Sequence, residues 1–243
     1  LTGWMGWFRH LQGRYAEAES LLEKSLEICR QKRQGEVDLE LTFTNFLGDV
    51  YIDNGRYNEA ERLLVKAVDT ASRRLSEEHP ETLTAINELG VVYRDQGRYE
   101  KAELLLRKAL KGKLRVLDKD SPKTLTCLND LAVLCRMQKQ FEEAESFFNE
   151  ALEGKRKKLG EDHPETLESK NDLAVLYKEQ ARYQDAEKLL LEALEGRRLK
   201  LGDTHPHTLE SWNNLIALYE AWNKSEKAKE WRAQLAQIED FDE

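Results

Sequence analysis

The chain has 243 residues, of which 35% are charged and 40% are hydrophobic, and its formal net charge is −8. Non-specific nucleic-acid binding requires a basic face, which so acidic a chain is not expected to have. Nucleic acid is therefore not an expected partner. No stretch reaches the roughly 18 to 20 apolar residues of a membrane span and no signal peptide is visible, which favours a cytoplasmic protein that binds no membrane. The cysteines, Cys29, Cys127 and Cys135, form no CxxC pair and fit reduced, packed thiols.

The first predicted element covers residues 1–11 (LTGWMGWFRHL), which precede the turn triplet Gly-Arg-Tyr at 13–15. It is interpreted as the last part of a helix whose first half would lie before Leu1. Trp4, Trp7 and Phe8 would then form an apolar surface made for a neighbour, and the chain would be a fragment of a longer protein or an array without its cap.

The turn triplet recurs along the chain at a constant interval. It stands at 13–15, 55–57, 97–99, 139–141 (KQF), 181–183 (ARY) and 223–225 (NKS), and every step is 42 residues. A proline phrase keeps the same period at 79–80, 121–122, 163–164 and 205–206. Two registers in phase predict one array over residues 1–243, with repeats at about 1–36, 37–78, 79–120, 121–162, 163–204 and 205–243.

Each repeat is predicted to be a pair of helices, called helix A and helix B, as the repeat at 163–204 illustrates. Pro164 suits the first position of helix A, with Asp162 or His163 as the cap. Helix A is expected to end near Gln180, followed by the turn at 181–183 and helix B. Gly13, Gly55, Gly97 and Asn223 suit a left-handed residue after helix A. Lys139 and Ala181 suit it less, which predicts that their two turns are slightly strained or differently built. Small residues recur where helices must approach closely: Ala18, Ala60, Ala102, Ala144, Ala186 and Ala228, and Gly48, Gly90, Ala132 and Ala174.

The last predicted pair departs from the others. Ile216 replaces the small residue, Arg232 replaces a leucine, and the turn reads Asn-Lys-Ser. These changes suit a terminal pair whose outer face meets water.

These residues resemble a known repeat family. Leu173, Ala174, Tyr177, Ala186, Leu190 and Ala193 match the tetratricopeptide repeat, and the 42-residue repeat with His-Pro-x-Thr-Leu opening helix A resembles the kinesin light chain variety. The resemblance implies an all-α, right-handed superhelical solenoid of antiparallel helix pairs, with about five full repeats and an N-terminal half repeat. It covers nearly the whole chain and is specific for the fold, but a fold alone does not fix a function.

No pattern in the sequence indicates an enzyme. A phosphate-binding glycine loop, an HExxH motif and a nucleophile elbow are all missing, so neither catalysis nor a cofactor is expected. His205 and His207 flank Pro206, but too few further ligands accompany them for a metal site, and capping is the favoured interpretation. Basic clusters end the B helices at 73–74, 111–115, 155–158 and 197–200. They are expected to form a solvated edge, and the alternative is a basic stripe that binds phosphate or an acidic partner.

An asparagine recurs in the middle of helix A, where helix propensity does not favour it. This asparagine column consists of Asn45, Asn87, Asn129, Asn171 and Asn213. In arrays of the kinesin light chain type, the resembling asparagines bind the backbone of an extended peptide in the concave groove. An amide can donate and accept together, which suits this role. The alternative is that the amides tie adjacent repeats to each other.

Neighbouring columns of helix A refine the predicted site. The expected cations are Arg94, Arg136 and Lys178, and the expected apolar pockets are Val91, Val133 and Val175. They predict an extended protein or peptide ligand with an acidic residue near its centre; the alternative for the cations is an ordinary solvated helix. The predicted function is a protein-interaction scaffold. The alternatives are a sensor or regulatory segment of a larger NTPase, kinase or protease, or a self-assembly element that associates through its N-terminal face.

Overall fold

A computed structural model describes residues 1–31 and 37–240, and within these ranges the regular secondary structure is helical, with no strand. The helices are α1 (Thr2–Leu11), α2 (Tyr15–Gln31), α3 (Val37–Asp53), α4 (Tyr57–Arg74), α5 (Pro80–Asp95), α6 (Tyr99–Val116), α7 (Pro122–Met137), α8 (Phe141–Leu159), α9 (Pro164–Glu179), α10 (Tyr183–Leu201), α11 (Pro206–Ala221) and α12 (Ser225–Asp240). The prediction of an all-α fold of helix pairs is confirmed.

Odd-numbered helices are the A helices and even-numbered helices are the B helices, and each pair lies inside one predicted repeat. By their contacts, the residues group into an N-terminal unit, Leu1–Leu134, and a C-terminal unit, Cys135–Glu243. The boundary falls in the stretch where Cys135, Lys139 and Gln140 replace the tyrosine, glycine and arginine of other turns. That the chain forms a single array stays a prediction.

Three A helices begin with a histidine cap followed by proline. The imidazole Nδ1 atoms of His79, His163 and His205 accept the backbone N–H two residues on, at 3.3, 3.3 and 3.2 Å. Proline then occupies the first helical position, where its missing N–H costs nothing. Of the two caps proposed for α9, His163 is therefore the one observed.

The turns between helices A and B share one backbone conformation. Their glycines have φ values of 69° to 74°, and Lys139, Ala181 and Asn223 have φ values of 62°, 59° and 58°. The expectation that the turns at Lys139 and Ala181 are built differently is wrong, because these two residues adopt the same left-handed backbone conformation as the glycines. A side chain in this conformation costs about 1 kcal/mol, so these turns carry the expected strain.

The arginine of the turn triplet contacts the B helix of the preceding repeat. Arg56 Nη1 donates to both carboxylate oxygens of Glu19 at 2.9 and 2.7 Å, and its guanidinium carbon lies 4.5 Å from the centre of the Tyr51 ring. The same contact recurs between Arg98, Glu61 and Tyr93 and between Arg182, Glu145 and Tyr177. This turn-arginine contact fixes these three turns against the preceding B helix.

Small and apolar side chains form the core. A Cβ atom on Gly90 would lie 2.8 Å from Leu106 Cγ, so the small residue is needed for α5 and α6 to approach. The alanine column is buried throughout. Cys127 and Cys135 are buried, and burial raises the pKa of Cys127 to about 12. Both positions fit the expected packed thiols.

Candidate functional site

In the N-terminal unit, the asparagines of the column are buried, and two of them bond to the next A helix. Asn45, Asn87 and Asn129 are almost fully buried. Asn45 Nδ2 donates to the backbone carbonyl of Glu81 at 3.3 Å, and Asn87 Nδ2 donates to Asp130 Oδ2 at 2.6 Å. Among the described residues, the amide oxygens of Asn45 and Asn87 have no hydrogen-bond partner. Only half of each of these two amides is therefore satisfied.

In the C-terminal unit, the Asn171 amide is satisfied on both sides. Its Nδ2 donates to Glu210 Oε1 at 3.3 Å, and its Oδ1 accepts from Ser211 Oγ and Asn214 Nδ2, both at 3.2 Å. Asn171 is buried, whereas Asn213, the last member of the column, is exposed. Asn171 thus joins α9 to α11.

The partly exposed polar column of the A helices lies one residue after the asparagines. Its members are Glu88, Asp130, Asp172 and Asn214, and Phe46 holds the same position in α3. Successive helical residues point about 100° apart, so this column faces outward where its neighbour faces the next repeat. The observed amide contacts support the alternative in which the asparagines tie adjacent repeats, and their role as peptide ligands stays a prediction.

Arg94, a predicted cation of the site, is recessed and already paired. Its Nε lies 2.7 Å from Asp95 Oδ1, and its Nη1 lies 3.6 Å from Asp130 Oδ1. The pairing neutralises a charge that was expected to meet an acidic ligand. Val91, the apolar pocket residue on the same helix, is buried.

The other two predicted cations stand in the C-terminal unit. Arg136 Nη1 lies 2.5 Å from Glu179 Oε1. Burial lowers the pKa of Lys178, repulsion by Arg136 lowers it further, and Glu179 opposes the shift. Val133 and Val175 are partly exposed. A cation with a lowered pKa would gain from an additional carboxylate.

Two carboxyl groups of the N-terminal unit share a hydrogen bond. Burial raises the pKa of Asp49 well above its ordinary value, and the charge of Glu88 and the bond to it raise it further. Burial also raises the pKa of Glu88, against the opposing effects of Asp49 and Lys113. The outward side of α3 and α5 therefore carries a pair of carboxyl groups that bond to each other.

Sequence reasoning missed a column of buried cations at the ends of the B helices, at Lys113, Lys155 and Arg197. Lys155 Nζ donates to the backbone carbonyl of Glu165 at 3.3 Å. Arg197 Nη1 donates to the carbonyl of His207 at 2.6 Å and to Ser211 Oγ at 2.8 Å. For these three members of the basic clusters, the expectation of a solvated edge is wrong. Their exact 42-residue register was the signal that could have separated them from their neighbours.

Arg197 also acts on the electrostatics of the Asn171 network. Its Nη1 lies 3.2 Å from Glu210 Oε2, the carboxylate whose other oxygen accepts from Asn171. Burial alone would raise the pKa of Glu210, but the hydrogen bond from His207 and the charge of Arg197 lower it below its ordinary value. Glu210 is thereby held as a carboxylate.

Residues 1–31 and 37–240 contain no group of three or more His, Cys, Asp or Glu side chains placed to hold a metal ion. The rings of His205 and His207 lie 5.2 Å apart, and His205 serves as a helix cap. Of the helices in the same ranges, none is both long and apolar enough to cross a membrane.

Comparison with protein families decides the identity of the fold. Residues 38–115 match one tetratricopeptide repeat family model, and residues 10–32, 124–165 and 166–207 match a second. The chain belongs to the tetratricopeptide repeat family. No curated protein sequence matches it.

Solved structures show which tetratricopeptide repeat proteins this one is similar to. A kinesin light chain-like protein of Podosopora anserina with nearly identical TPR-like repeats is 28% identical, with a TM-score of 0.62 over 82% of this chain and 94% of that chain. BtubC (BKLC) from P. vanneervenii is 24% identical, with a TM-score of 0.70 over 91% of this chain and 89% of that chain. The Rap conjugation gene regulator of plasmid pLS20, solved in complex with the Phr* peptide, is 16% identical, with a TM-score of 0.69 over 96% of this chain and 73% of that chain. The tetratricopeptide repeats are therefore of the kinesin light chain-like type.

Proposed function

We propose that this chain is a protein-interaction scaffold. Its A-helix face, the outward side of the A helices, holds an extended segment of a partner protein. The observation that carries the proposal is that partly exposed polar side chains are bonded to the buried asparagines, Asp130 to Asn87 in the N-terminal unit and Asn214 to Asn171 in the C-terminal unit. Family membership favours binding over catalysis. The peptide in the similar Rap regulator structure supports the same mode.

The geometry of a repeat suits an extended ligand. Packed helices lie about 8–10 Å apart, and an extended chain advances about 3.3 Å per residue, so each repeat meets roughly every third residue. Asn213 is exposed and can contact a ligand backbone directly. Two of the buried asparagines, Asn87 and Asn171, bond to members of the outward column, and direct contact with a ligand would require them to leave these partners.

The preferred ligand carries an acidic residue that lies beside Lys178 and Arg136. Lys178 is the predicted cation whose pKa is lowered by burial and by a neighbouring cation, and a ligand carboxylate would relieve both effects. Val175, three residues before Lys178 on α9, is partly exposed and can contact an apolar side chain of the ligand. The same proposal places the chain in the cytoplasm, where its cysteines would stay reduced.

A second candidate function is association through the N-terminal face, either as self-assembly or as the sensor segment of a larger protein. It is favoured by the exposed side chains of Trp4, Met5 and Phe8 on α1. Trp7, which was expected to belong to the same surface, instead stacks on Phe46 with ring centres 4.3 Å apart.

A peptide array tests the scaffold. An array of random ten-residue peptides, half with a central glutamate, is probed with the labelled chain, and the strongest binder is titrated by fluorescence anisotropy. Lys178→Ala should weaken binding of a glutamate peptide about tenfold, and Lys188→Ala, on the exposed surface of α10, should not. Equal binding of both peptide halves contradicts the acidic preference, and no binder at all contradicts the peptide mode.

Asn87→Ala and Asn171→Ala then test the asparagine column with the same peptide. Lost binding at an unchanged melting temperature assigns the amides to the ligand. A lower melting temperature with binding retained assigns them to the contacts between repeats.

A further inference from the structure

The cations of the A-helix face differ in the number of carboxylates that surround them. Arg94 of α5 has two, because its Nε lies 2.7 Å from Asp95 Oδ1 and its Nη1 lies 3.6 Å from Asp130 Oδ1. Asp95 stands on the same helix, whereas Asp130 stands on α7, the A helix of the next repeat. The charge of Arg94 is therefore matched before any ligand binds.

In the C-terminal unit, two cations share one carboxylate. Arg136 Nη1 of α7 lies 2.5 Å from Glu179 Oε1 of α9. Burial lowers the pKa of Lys178, and Glu179, the residue after it, is the carboxylate that opposes this shift. Among the residues that the structure describes, Lys178 itself makes no hydrogen bond or ion pair. These three side chains therefore carry one excess positive charge.

The next A helix supplies a carboxylate to the other two cations from one of two positions. Asp130 of α7 stands 36 residues after Arg94 in the sequence, and Glu179 of α9 stands 43 residues after Arg136. In an array with a constant repeat length, the same offsets identify the residues of α11 that are equivalent partners for Lys178.

Helix α11 has no carboxylate at either of these positions. The residues 36 and 43 positions after Lys178 are Asn214, which is partly exposed, and Ala221, which is exposed. Glu220, which lies directly before Ala221, pairs instead with Arg232 of α12. The surface between Asn214 and Ala221 is called the open position below, because an acidic side chain is missing there and solvent can reach it.

We propose that a glutamate or aspartate side chain of the ligand occupies the open position and pairs with Lys178 between α9 and α11. The inference rests on the proposed function and assigns the acidic preference to one place on the A-helix face. Asn214 Nδ2 donates to Asn171 Oδ1 at 3.2 Å, and its second N–H can donate to the ligand carboxylate. The short side chain of Ala221 leaves room for that carboxylate. A single negative charge cancels the one excess positive charge.

Ala221→Glu tests the open position, because it places a carboxylate in α11 where α9 has Glu179. The strongest glutamate-containing binder of the peptide array is compared, by fluorescence anisotropy, with the same peptide carrying glutamine instead. In this variant, the affinity for the glutamate peptide should fall about tenfold, to that of the glutamine peptide, whose affinity should not change. Ala221→Gln, which has the same shape without the charge, should keep the preference. Lys178→Ala combined with Ala221→Glu should lose no more affinity than either change alone.

A second measurement needs no ligand. The pKa of Lys178 is followed by NMR in a chain that carries isotope-labelled lysine, with Lys178→Ala to identify its signal. Ala221→Glu should raise this pKa toward its ordinary value, and Ala221→Gln should not.

The outcomes separate this inference from the proposed function. An unchanged pKa of Lys178, or a glutamate preference that survives Ala221→Glu, overturns the inference alone and leaves the scaffold function standing. Equal loss of binding in Ala221→Gln also overturns it, because charge would then not be the cause. If no peptide of the array binds, the proposed peptide-binding function fails and the inference fails with it.

Discussion

The two units use the same asparagine column in different ways. In the N-terminal unit, the Asn87 amide donates to Asp130, while its oxygen has no partner among the residues that the structure describes. In the C-terminal unit, Asn171 uses both ends of its amide, in a network with Arg197 and Glu210. A buried acceptor without a donor costs about 1–3 kcal/mol. The Asn87 arrangement therefore stabilises the fold less than the Asn171 arrangement does. One residue type at one repeat position can thus be a completed structural tie or an incomplete one.

The largest expected effect comes from removing the cation that completes the C-terminal network. Arg197→Ala should lower the free energy of unfolding by about 3 kcal/mol, because Glu210, Ser211 and the His207 carbonyl lose their common donor. Urea unfolding measures the change. Arg198→Ala, the exposed neighbour that pairs with Asp203, should cost about 1 kcal/mol or less. Equal losses of unfolding free energy in the two variants would mean that the buried network contributes no more to stability than an exposed ion pair.

The comparison of the two asparagines themselves comes next. Asn171→Ala should cost about 2 kcal/mol, since Glu210, Ser211 and Asn214 each lose their hydrogen bond to its amide. Asn87→Ala should cost about 1 kcal/mol, because the lost bond to Asp130 is offset by removal of the unpaired oxygen. Thermal unfolding of both variants under one condition checks the order, and a larger loss for Asn87→Ala would reverse our interpretation of the two units.

The dependence of stability on pH should distinguish the N-terminal unit. Because the pKa of Asp49 is raised in the folded state, the folded chain holds a proton that the unfolded chain loses near pH 4. Its contribution to stability therefore decreases as the pH rises from about 4 toward the raised value. Asp49→Asn should raise the melting temperature at pH 7, and the gain should shrink as the pH falls to 4. Asp69→Asn, on the exposed surface of α4, is the control and should show no such trend.

The smallest effect on stability is expected from the turn-arginine contact, which is the same in both units. Arg182→Ala removes a guanidinium that lies 3.8 Å over the Tyr177 ring and 2.7 Å from Glu145, at a cost of about 1 kcal/mol. Arg98→Ala should shift the urea midpoint in the same direction in the N-terminal unit. Arg182→Lys should recover only part of the loss, since an ammonium cannot stack as the planar group does. A destabilisation in one unit only would show that the turn-arginine contact is not common to both.

The sequence predicted the helix pairs because the turn triplet and the proline phrase act locally. A glycine after helix A and a proline at the start of the next helix fix the ends of each element without help from distant residues. The packing columns followed for the same reason, as Gly90 and the alanines stand at a constant offset from those signals.

The outward side of helix A could not be predicted so well. Two polar columns stand side by side, as in Asn87-Glu88 and Asn129-Asp130, and the 3.6-residue period does not say which of them meets the next repeat. Only the packed neighbour decides it. Lys155 and Arg197 were missed for a related reason, since their partners are carbonyl groups ten residues on, across a turn.

The turn-arginine contacts also bear on how quickly the chain reaches its native state. Each of them spans 37 residues, whatever its place in the sequence. Folding rates decrease as the separation of contacting residues grows, and here that separation does not grow as repeats are added. A newly synthesised helix pair can therefore dock on its predecessor as soon as it leaves the ribosome, so the time needed to fold should depend little on the length of the array.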